Sequence, residues 1–198
     1  MFIHIGVPKT GTKSLQEMFR LHPGIEYLNC RAFNRAFAEI TCGDSCIYSQ
    51  ENISLLPNSH FEDIRRNFDG VEIIMFTRDP VSILPSLYAR DGSFYLKINR
   101  HFTWPEWLDL VLTIDNPVRR MLHYGRRIEA IRKYFTVHVF RYEDLSLHHD
   151  RLITDLAKVL GIDAGLAVQI MRGLWLNKSG TKPVMTEAQR DRIREEFG

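Results

Sequence analysis

A group of hydroxyl-bearing and basic residues surrounds two glycines near the start of the chain. Residues 6–15 read Gly-Val-Pro-Lys-Thr-Gly-Thr-Lys-Ser-Leu and follow the apolar run 2–6. A glycine-containing loop between a strand and a helix start binds anions, because its backbone N–H groups point at the ligand and the helix dipole favours negative charge. Gly11 lets the backbone come close, and Lys9 adds a mobile positive charge. Further donors are the hydroxyls of Thr10, Thr12 and Ser14. We therefore expect this loop to bind a phosphate or a similar anion.

The nucleotide-binding Walker A loop is the obvious comparison for this segment. That loop needs two glycines five positions apart, followed at once by Lys and then by Ser or Thr. Gly6 and Gly11 have this separation, but Thr12 follows the second glycine and Lys13 comes one position late. Successive residues at a helix start point in different directions, so the shift argues against a Walker A loop. A tight turn that binds nothing is the structural alternative.

The order Pro8-Lys9-Thr10-Gly11-Thr12-Lys13-Ser14-Leu15 resembles the 5′-phosphosulfate-binding loop of the sulfotransferases that use 3′-phosphoadenosine 5′-phosphosulfate. The resemblance implies that Pro8 and the following residues through Ser14 hold the donor and that Lys9 is catalytic. The family usually has Thr or another small residue where this chain has Lys13. The side chain of Lys13 therefore has two possible roles, in contact with the phosphosulfate or in solvent.

A second basic motif follows the apolar run 71–77. Asp79 is a suitable helix N-cap and Pro80 a suitable first helical residue, so Arg78 lies at the end of a predicted strand. An Arg at a strand end with a Ser eight positions later resembles the family's 3′-phosphate site, and Arg78 and Ser86 have that spacing. A planar guanidinium suits phosphate because it binds two oxygens at once. The alternative is a capped helix with Arg78 in a structural ion pair. Pro85 could kink this helix and so change the position of Ser86.

Weaker signals suggest a general base and a third donor contact. Many sulfotransferases resemble one another in having a polar segment after the third strand, which makes Glu51 the candidate base. Its rivals are His4, His22 and His60, of which His4 is better explained as a core residue. The polar loop 177–183 resembles a basic loop that closes over the donor's 3′-phosphate, and this resemblance implies that Lys178 contacts the donor.

Two further segments are open to a structural interpretation. The sequence 141–145, Arg-Tyr-Glu-Asp-Leu, resembles a segment common in the family after the fifth strand, and we interpret it as mainly structural. The segment 94–112 contains the aromatic residues Phe94, Tyr95, Phe102, Trp104 and Trp107. These rings could line an acceptor pocket or pack in the core, and the sequence does not separate the two.

The elements that must position these residues alternate along the chain. Short apolar runs predict strands over 2–6, 25–28, 46–49, 71–77 and 136–142. Helical periods predict helices over 12–21, 61–68, 80–90, 119–134 and 147–160. This alternation predicts an α/β fold with three layers, a central and mainly parallel sheet between helices, like that of P-loop NTPases. Ligands of such folds bind beyond the carboxyl ends of the strands, where both motifs lie.

Composition limits the class of protein. The chain has 198 residues, enough for a single domain over 1–198, and a net charge of +2, too small for a general nucleic-acid binder. The three cysteines, Cys30, Cys42 and Cys46, lack the spacing of a zinc or redox site, and we expect reduced thiols. No signal peptide precedes the first strand and no apolar run is long enough to span a membrane, which predicts a cytoplasmic protein.

Together these features predict a sulfotransferase. It would move a sulfuryl group from 3′-phosphoadenosine 5′-phosphosulfate, the donor cosubstrate, to a hydroxyl or amine of a small-molecule or glycan acceptor. We expect no metal cofactor, no nucleic-acid partner and no membrane partner. The alternatives are a P-loop small-molecule kinase, which would need Mg²⁺ and an acidic residue to hold it, and a non-catalytic nucleotide-binding module.

Overall fold

The computed structural model describes residues 1–28, 46–49, 59–96, 100–174 and 182–198. Its centre is a five-stranded sheet in the order β2-β3-β1-β4-β5, in which every neighbouring pair is parallel. The strands are β1 Phe2–Gly6, β2 Glu26–Leu28, β3 Cys46–Ser49, β4 Glu72–Thr77 and β5 Thr136–Arg141. Helices lie on both faces of the sheet, which confirms the predicted fold class.

Ten helices are found in the described residues. They are α1 Thr12–Leu21, α2 Ser59–Asn67, α3 Pro80–Leu96, α4 Trp104–Thr113, α5 Pro117–Leu122, α6 Tyr124–Arg132, α7 Tyr142–Leu147, α8 His149–Leu160, α9 Ala164–Gly173 and α10 Glu187–Phe197. None of these helices combines the length and the apolar character that crossing a membrane requires.

The chain divides into two compact units. Unit 1 comprises 1–77 and 128–176 and contains the sheet, and unit 2 comprises 78–127 and 177–198. In unit 1 the register pairs Gly6 of β1 with Phe76 of β4, so both strands reach their carboxyl ends at the same edge of the sheet. The loop after β1 and the last residue of β4 are therefore neighbours in the fold.

The strands of unit 1 are apolar on both faces because both faces are covered. On one face, Phe2, Ile47, Ile74 and Phe76 pack with buried residues of α1, α8 and α9. The alternate side chains of the central strands, Ile3, Ile5, Ile73 and Met75, are fully buried as well. Continuous apolar runs are typical of parallel strands buried in this way. The edge strand β5 differs, because several of its residues are exposed.

Unit 2 has an aromatic core and a C-terminal helix held by polar contacts. The rings of Trp104 and Trp107 stack at 5.7 Å, and the Tyr88 ring meets that of Trp104 at 5.5 Å. At the end of α10, Glu196 accepts a hydrogen bond from Arg119 Nε at 2.9 Å. These contacts fix α10 on the other helices of the unit.

The predicted strands are confirmed to within one residue at each end, whereas several helices differ from the prediction. The helix predicted over 119–134 is two helices, α5 and α6, separated at His123. Asn116 caps α5 by accepting from the Arg119 N–H at 2.9 Å, and Pro117 occupies its first position. The helix predicted over 147–160 is likewise preceded by a separate short helix, α7.

Three further helices, α4, α9 and α10, were not predicted, although capping signals for each were present. Thr103 and Glu106 form a capping box at the start of α4. Asp163 caps α9 by accepting from the Leu166 N–H at 2.7 Å.

A histidine lies in the core of unit 1. His4 of β1 is fully buried, and burial lowers its pKa from 6.5 to about 3. The His4 side chain therefore stays neutral in the folded protein at pH values where an unfolded chain would take up a proton at that residue. Because only the unfolded state takes up this proton, unfolding becomes more favourable as the pH falls.

We predict that His4 contributes a fall in the free energy of unfolding that approaches about 1.4 kcal/mol per pH unit below pH 6.5, the value for one histidine that is protonated only when unfolded. The sign follows from the lowered pKa of the folded state, and the window extends from 6.5 down to about 3. Chemical denaturation at pH 7 and pH 5 measures the slope. His4→Asn should flatten it, while His60→Asn, at an exposed position of α2, should leave it unchanged. Equal slopes in His4→Asn and the wild type would contradict this explanation.

Candidate active site

The loop between β1 and α1 is closely packed, and two of its positions require glycine. A Cβ atom on Gly6 would lie 2.2 Å from the Thr12 hydroxyl oxygen, which no side chain tolerates. Gly11 caps α1 with a φ of 76°, a left-handed conformation that favours glycine. The N–H groups of Thr12 and Lys13 have no acceptor within the helix, whereas those of Ser14 and Leu15 donate to the Gly11 carbonyl. The loop therefore presents backbone donors at a helix N-terminus, as its sequence predicts.

The short helix α7 packs against this loop at Gly11. A Cβ atom on Gly11 would lie 3.0 Å from Leu145 Cδ2 and 3.4 Å from Tyr142 Cε2. Both residues belong to the segment 141–145, which ends β5 and forms the first turns of α7. The structure thus gives this segment the structural role that we inferred from its sequence.

Lys9 has an unusual backbone conformation. Its φ is 73°, and it is the one non-glycine residue with a positive φ in the described part of the chain. A left-handed conformation costs an ordinary residue about 1–2 kcal/mol, which glycine would avoid. Strain of this kind is found at functional sites, where the side chain or its direction matters more than stability.

The hydroxyls of the loop are not equivalent. Thr10, Thr12 and Ser14 are all buried. The Thr10 hydroxyl donates to the Val7 carbonyl at 2.6 Å, so its proton holds the turn together. The side chain of Lys13, by contrast, is exposed to solvent. Lys13 is thus in the environment expected for a surface residue of α1.

In unit 2, Arg78 is oriented by the first turn of α3. Asp79 caps that helix, because its carboxylate accepts from the N–H groups of Val81 and Ser82 at 3.2 and 3.0 Å. Arg78 Nε donates to Ser82 Oγ at 3.0 Å, which fixes the plane of the guanidinium. The capped helix is as predicted.

Ser86 lies one turn beyond Ser82 on α3, despite Pro85 inside the helix. The Ser86 hydroxyl is buried and has no hydrogen-bond partner among the described residues. A buried hydroxyl without a partner is uncommon and costs stability. It fits a site where a ligand supplies the missing acceptor.

Lys182 is a basic residue that the sequence analysis missed. The side chain of Lys182 is exposed for the most part, and its partial desolvation together with the positive charge of Arg78 lowers the pKa of Lys182. Two cations placed near each other repel, and an anion between them removes the repulsion. Lys178, the predicted contact in this loop, lies outside the described residues, and so does Glu51. Lys182 stands just before Pro183 in the same polar loop as Lys178, and this position could have identified Lys182 as a second candidate contact.

The histidines considered as bases are in different environments. His4 is buried with a low pKa, which makes it a poor proton acceptor at neutral pH. His22 is buried as well, and its Nδ1 already accepts from the Gly24 N–H at 3.1 Å. His60 is exposed on α2. His4 is therefore the core residue that its place in the strand suggested.

Trp104 and Trp107 belong to the core of unit 2. Trp107 is fully buried, and Trp104 Nε1 donates to Gln189 of α10 at 3.4 Å. For these two rings, core packing is the correct interpretation of the aromatic segment. Within the described ranges, no group of three or more His, Cys, Asp or Glu side chains could hold a metal ion.

Comparison with known proteins identifies the family. A model of the sulfotransferase domain matches residues 2–196. The structure is similar to that of a sulfotransferase from Alicyclobacillus acidocaldarius, with 15% identity, a TM-score of 0.69 and coverage of 99% of this chain and 90% of the other. It is also similar to the mouse sulfotransferase SULT7A1 complexed with PAP, with 21% identity, a TM-score of 0.62 and coverage of 88% and 63%.

A third similar structure is the sulfotransferase domain from the curacin biosynthetic pathway, with 11% identity, a TM-score of 0.59 and coverage of 100% and 98%. At these identities the structural matches establish the fold. No curated protein sequence matches the chain significantly. The match to the domain model extends over almost the whole chain, and the protein therefore belongs to the sulfotransferase family.

Proposed function

We propose that this sulfotransferase transfers a sulfuryl group from 3′-phosphoadenosine 5′-phosphosulfate to a hydroxyl or amine of a small-molecule or glycan acceptor. The observation that carries the proposal is the loop of residues 6–14, which joins β1 to the N-terminus of α1 in a chain that matches the sulfotransferase domain over 2–196. The mouse relative was crystallised with PAP. A cytoplasmic location remains a prediction from the sequence.

The loop suits the 5′-phosphosulfate end of the donor. The absence of side chains at Gly6 and Gly11 lets Thr12 and α7 pack against the loop and hold its backbone in place. The helix N-terminus attracts negative charge, and Lys9 adds a full positive charge beside it. We assign the donor's phosphosulfate to this loop, with Pro8, Thr12 and Ser14 forming its walls.

Unit 2 provides groups that suit the 3′-phosphate. Arg78 and Lys182 are two cations close enough for one to lower the pKa of the other, and Ser86 has a buried hydroxyl that lacks an acceptor among the described residues. A phosphate would satisfy all three groups. We assign the 3′-phosphate to them, and Lys178 remains a candidate from the sequence.

The proposed reaction is an in-line transfer. An acceptor oxygen or nitrogen forms a bond to sulfur while the bond from sulfur to the bridging oxygen breaks. The acceptor loses its proton to a base, for which Glu51 is the candidate, and 3′,5′-bisphosphoadenosine leaves with the bonding electrons. Lys9 stabilises the negative charge that develops on the bridging oxygen, with help from the helix N-terminus.

We predict that the protein binds 3′,5′-bisphosphoadenosine much more tightly than AMP or ATP. Only the bisphosphate has both a 5′-phosphate for the loop of residues 6–14 and a 3′-phosphate for Arg78, Ser86 and Lys182. Isothermal titration calorimetry with and without Mg²⁺ measures this, and Mg²⁺ should change the affinity little. Equal affinity for AMP would contradict the assignment of two phosphate sites. Strict Mg²⁺ dependence with preference for ATP would favour the kinase alternative.

We predict that Arg78→Ala and Lys182→Ala each weaken bisphosphoadenosine binding. The loss should be about 1.5–3 kcal/mol, the range for a hydrogen bond to a charged group. AMP lacks the 3′-phosphate, so its affinity should barely change. Lys133→Ala removes an exposed lysine of unit 1 and serves as the charge-matched control. If both nucleotides lose affinity equally, Arg78 and Lys182 have structural roles.

We predict that the side-chain amine of Lys9 is needed for turnover, whereas the left-handed backbone of Lys9 lowers the stability of the fold. Lys9→Ala should lower turnover by about 10²-fold, the usual loss when one group that stabilises the transition state is removed. Lys9→Gly should lower turnover as much, yet raise the free energy of unfolding by about 1 kcal/mol by relieving the left-handed strain.

Turnover is measured as hydrolysis of the donor, or with an acceptor that mass spectrometry identifies by a gain in mass equal to that of a sulfate group. Lys13→Ala, at an exposed position, should be milder. If only Lys13→Ala abolished turnover, the Walker-like alignment would be correct.

A further inference from the structure

Three polar side chains form a continuous hydrogen-bonded chain through the core of unit 1. Gln16 of α1 donates from Nε2 to Ser49 Oγ at 3.2 Å and to the Ser49 carbonyl at 3.4 Å. Ser49 Oγ in turn lies 2.6 Å from His4 Nδ1. Three elements, α1, β3 and β1, are joined in this way. His4 and Ser49 are also register partners in the sheet.

The Gln16 amide donates through its nitrogen, so the Ser49 oxygen accepts from it. A serine hydroxyl accepts up to two hydrogen bonds and donates one, so Ser49 Oγ and His4 Nδ1 are bonded with either tautomer of the ring. The other ring nitrogen, Nε2, is buried without a hydrogen-bond partner among the described residues. The ring lies edge-on to Phe19 and Phe76, with centroids 5.5 Å away in both cases. Such surroundings keep the ring neutral and its orientation fixed.

Two members of this hydrogen-bonded chain, Gln16 and Ser49, are close in sequence to the groups proposed for catalysis. Gln16 lies one turn after Thr12, the first residue of α1 and part of the phosphate loop. Ser49 is the last residue of β3, two positions before Glu51. The side chains of Gln16 and Ser49 therefore form a hydrogen-bonded link between two elements. One is α1, which begins at the donor loop, and the other is β3, which precedes the candidate base Glu51 in the sequence.

We propose that Gln16, Ser49 and His4 are positioning residues that hold the end of β3 in a fixed place relative to the phosphate loop. The inference rests on the proposed function. Group transfer depends steeply on the alignment of the reacting atoms, and a displacement of about 1 Å can lower the rate by about 10²-fold. Donor binding depends on backbone N–H groups and cations that this chain of hydrogen bonds does not touch. Loss of the chain should therefore reduce turnover and spare donor affinity.

The first test uses Gln16→Met, because this position is only partly buried and methionine keeps the size of the side chain without its donor. We expect kcat to fall about 10-fold, with bisphosphoadenosine affinity within about two-fold of wild type. Ser49→Ala should give a similar loss, and the double variant should lose no more than either single variant, as expected for residues that act as a unit. Gln169→Met, at an exposed position of α9, is the matched control.

The second test follows the hydrogen bond between Ser49 and His4 by ¹⁵N NMR of the His4 ring. Gln16→Glu replaces the amide donor by an acceptor, so the Ser49 hydroxyl should turn toward the new carboxylate and the His4 ring signals should shift. Gln169→Glu should leave the ring signals unchanged. Ring signals that do not respond to Gln16→Glu would overturn the inference, because Gln16 would then not be linked to His4 through Ser49.

The outcomes separate this inference from the proposed function. A wild type that binds bisphosphoadenosine and transfers sulfuryl groups, while Gln16→Met and Ser49→Ala keep normal kcat, would overturn the inference alone. A fall in kcat matched by an equal fall in nucleotide affinity would also overturn it, because the residues would then act on donor binding. A wild type that neither binds the nucleotide nor transfers sulfuryl groups would overturn the proposed function, and the inference with it.

Discussion

The close contact between Gly6 and Thr12 is the constraint on which the candidate site depends. The hydroxyl of Thr12 occupies the space that any side chain at residue 6 would need. This contact brings the first turn of α1 directly onto the end of β1. A second close packing, between Gly11 and the side chains of Tyr142 and Leu145 in α7, also leaves little room beside the loop. An anion-binding loop of this shape therefore relies on two positions without a side chain, on one threonine and on a short helix from a distant part of the sequence.

The sequence was sufficient for those parts of the structure that depend on local patterns. Continuous apolar runs predicted the central strands β1, β3 and β4 because parallel strands buried on both faces are apolar at successive positions. The start of α1 was correct because Gly11 and Thr12 have clear roles in a turn and a first helical residue. The cap of α3 by Asp79 was predictable for the same reason, since the cap and the proline that follows it are adjacent in the chain.

The parts that could not be predicted depend on contacts between distant residues. The effect of Arg78 on Lys182 brings together residues separated by most of unit 2, and no local pattern shows it. The link from Gln16 through Ser49 to His4 also requires the parallel register of β1 and β3, which only the folded sheet defines. The break at His123 was not predicted because it depends on where the short helix α5 begins, at Asn116 and Pro117, and where it ends, at His123.

The order of strands in the sheet has a consequence for how the chain folds. β4 and β5 are neighbours in the sheet, yet all of residues 78–135 lie between them in the sequence, including most of unit 2. Closing such a long loop costs entropy before the pairing contributes anything, so we expect parallel pairing of this kind to form slowly. During that interval β4 has an open edge rich in apolar residues, and such edges promote association between partly folded chains. The yield of folded protein after synthesis should therefore depend strongly on temperature and on protein concentration. This dependence should be stronger than the stability of the native state alone would indicate.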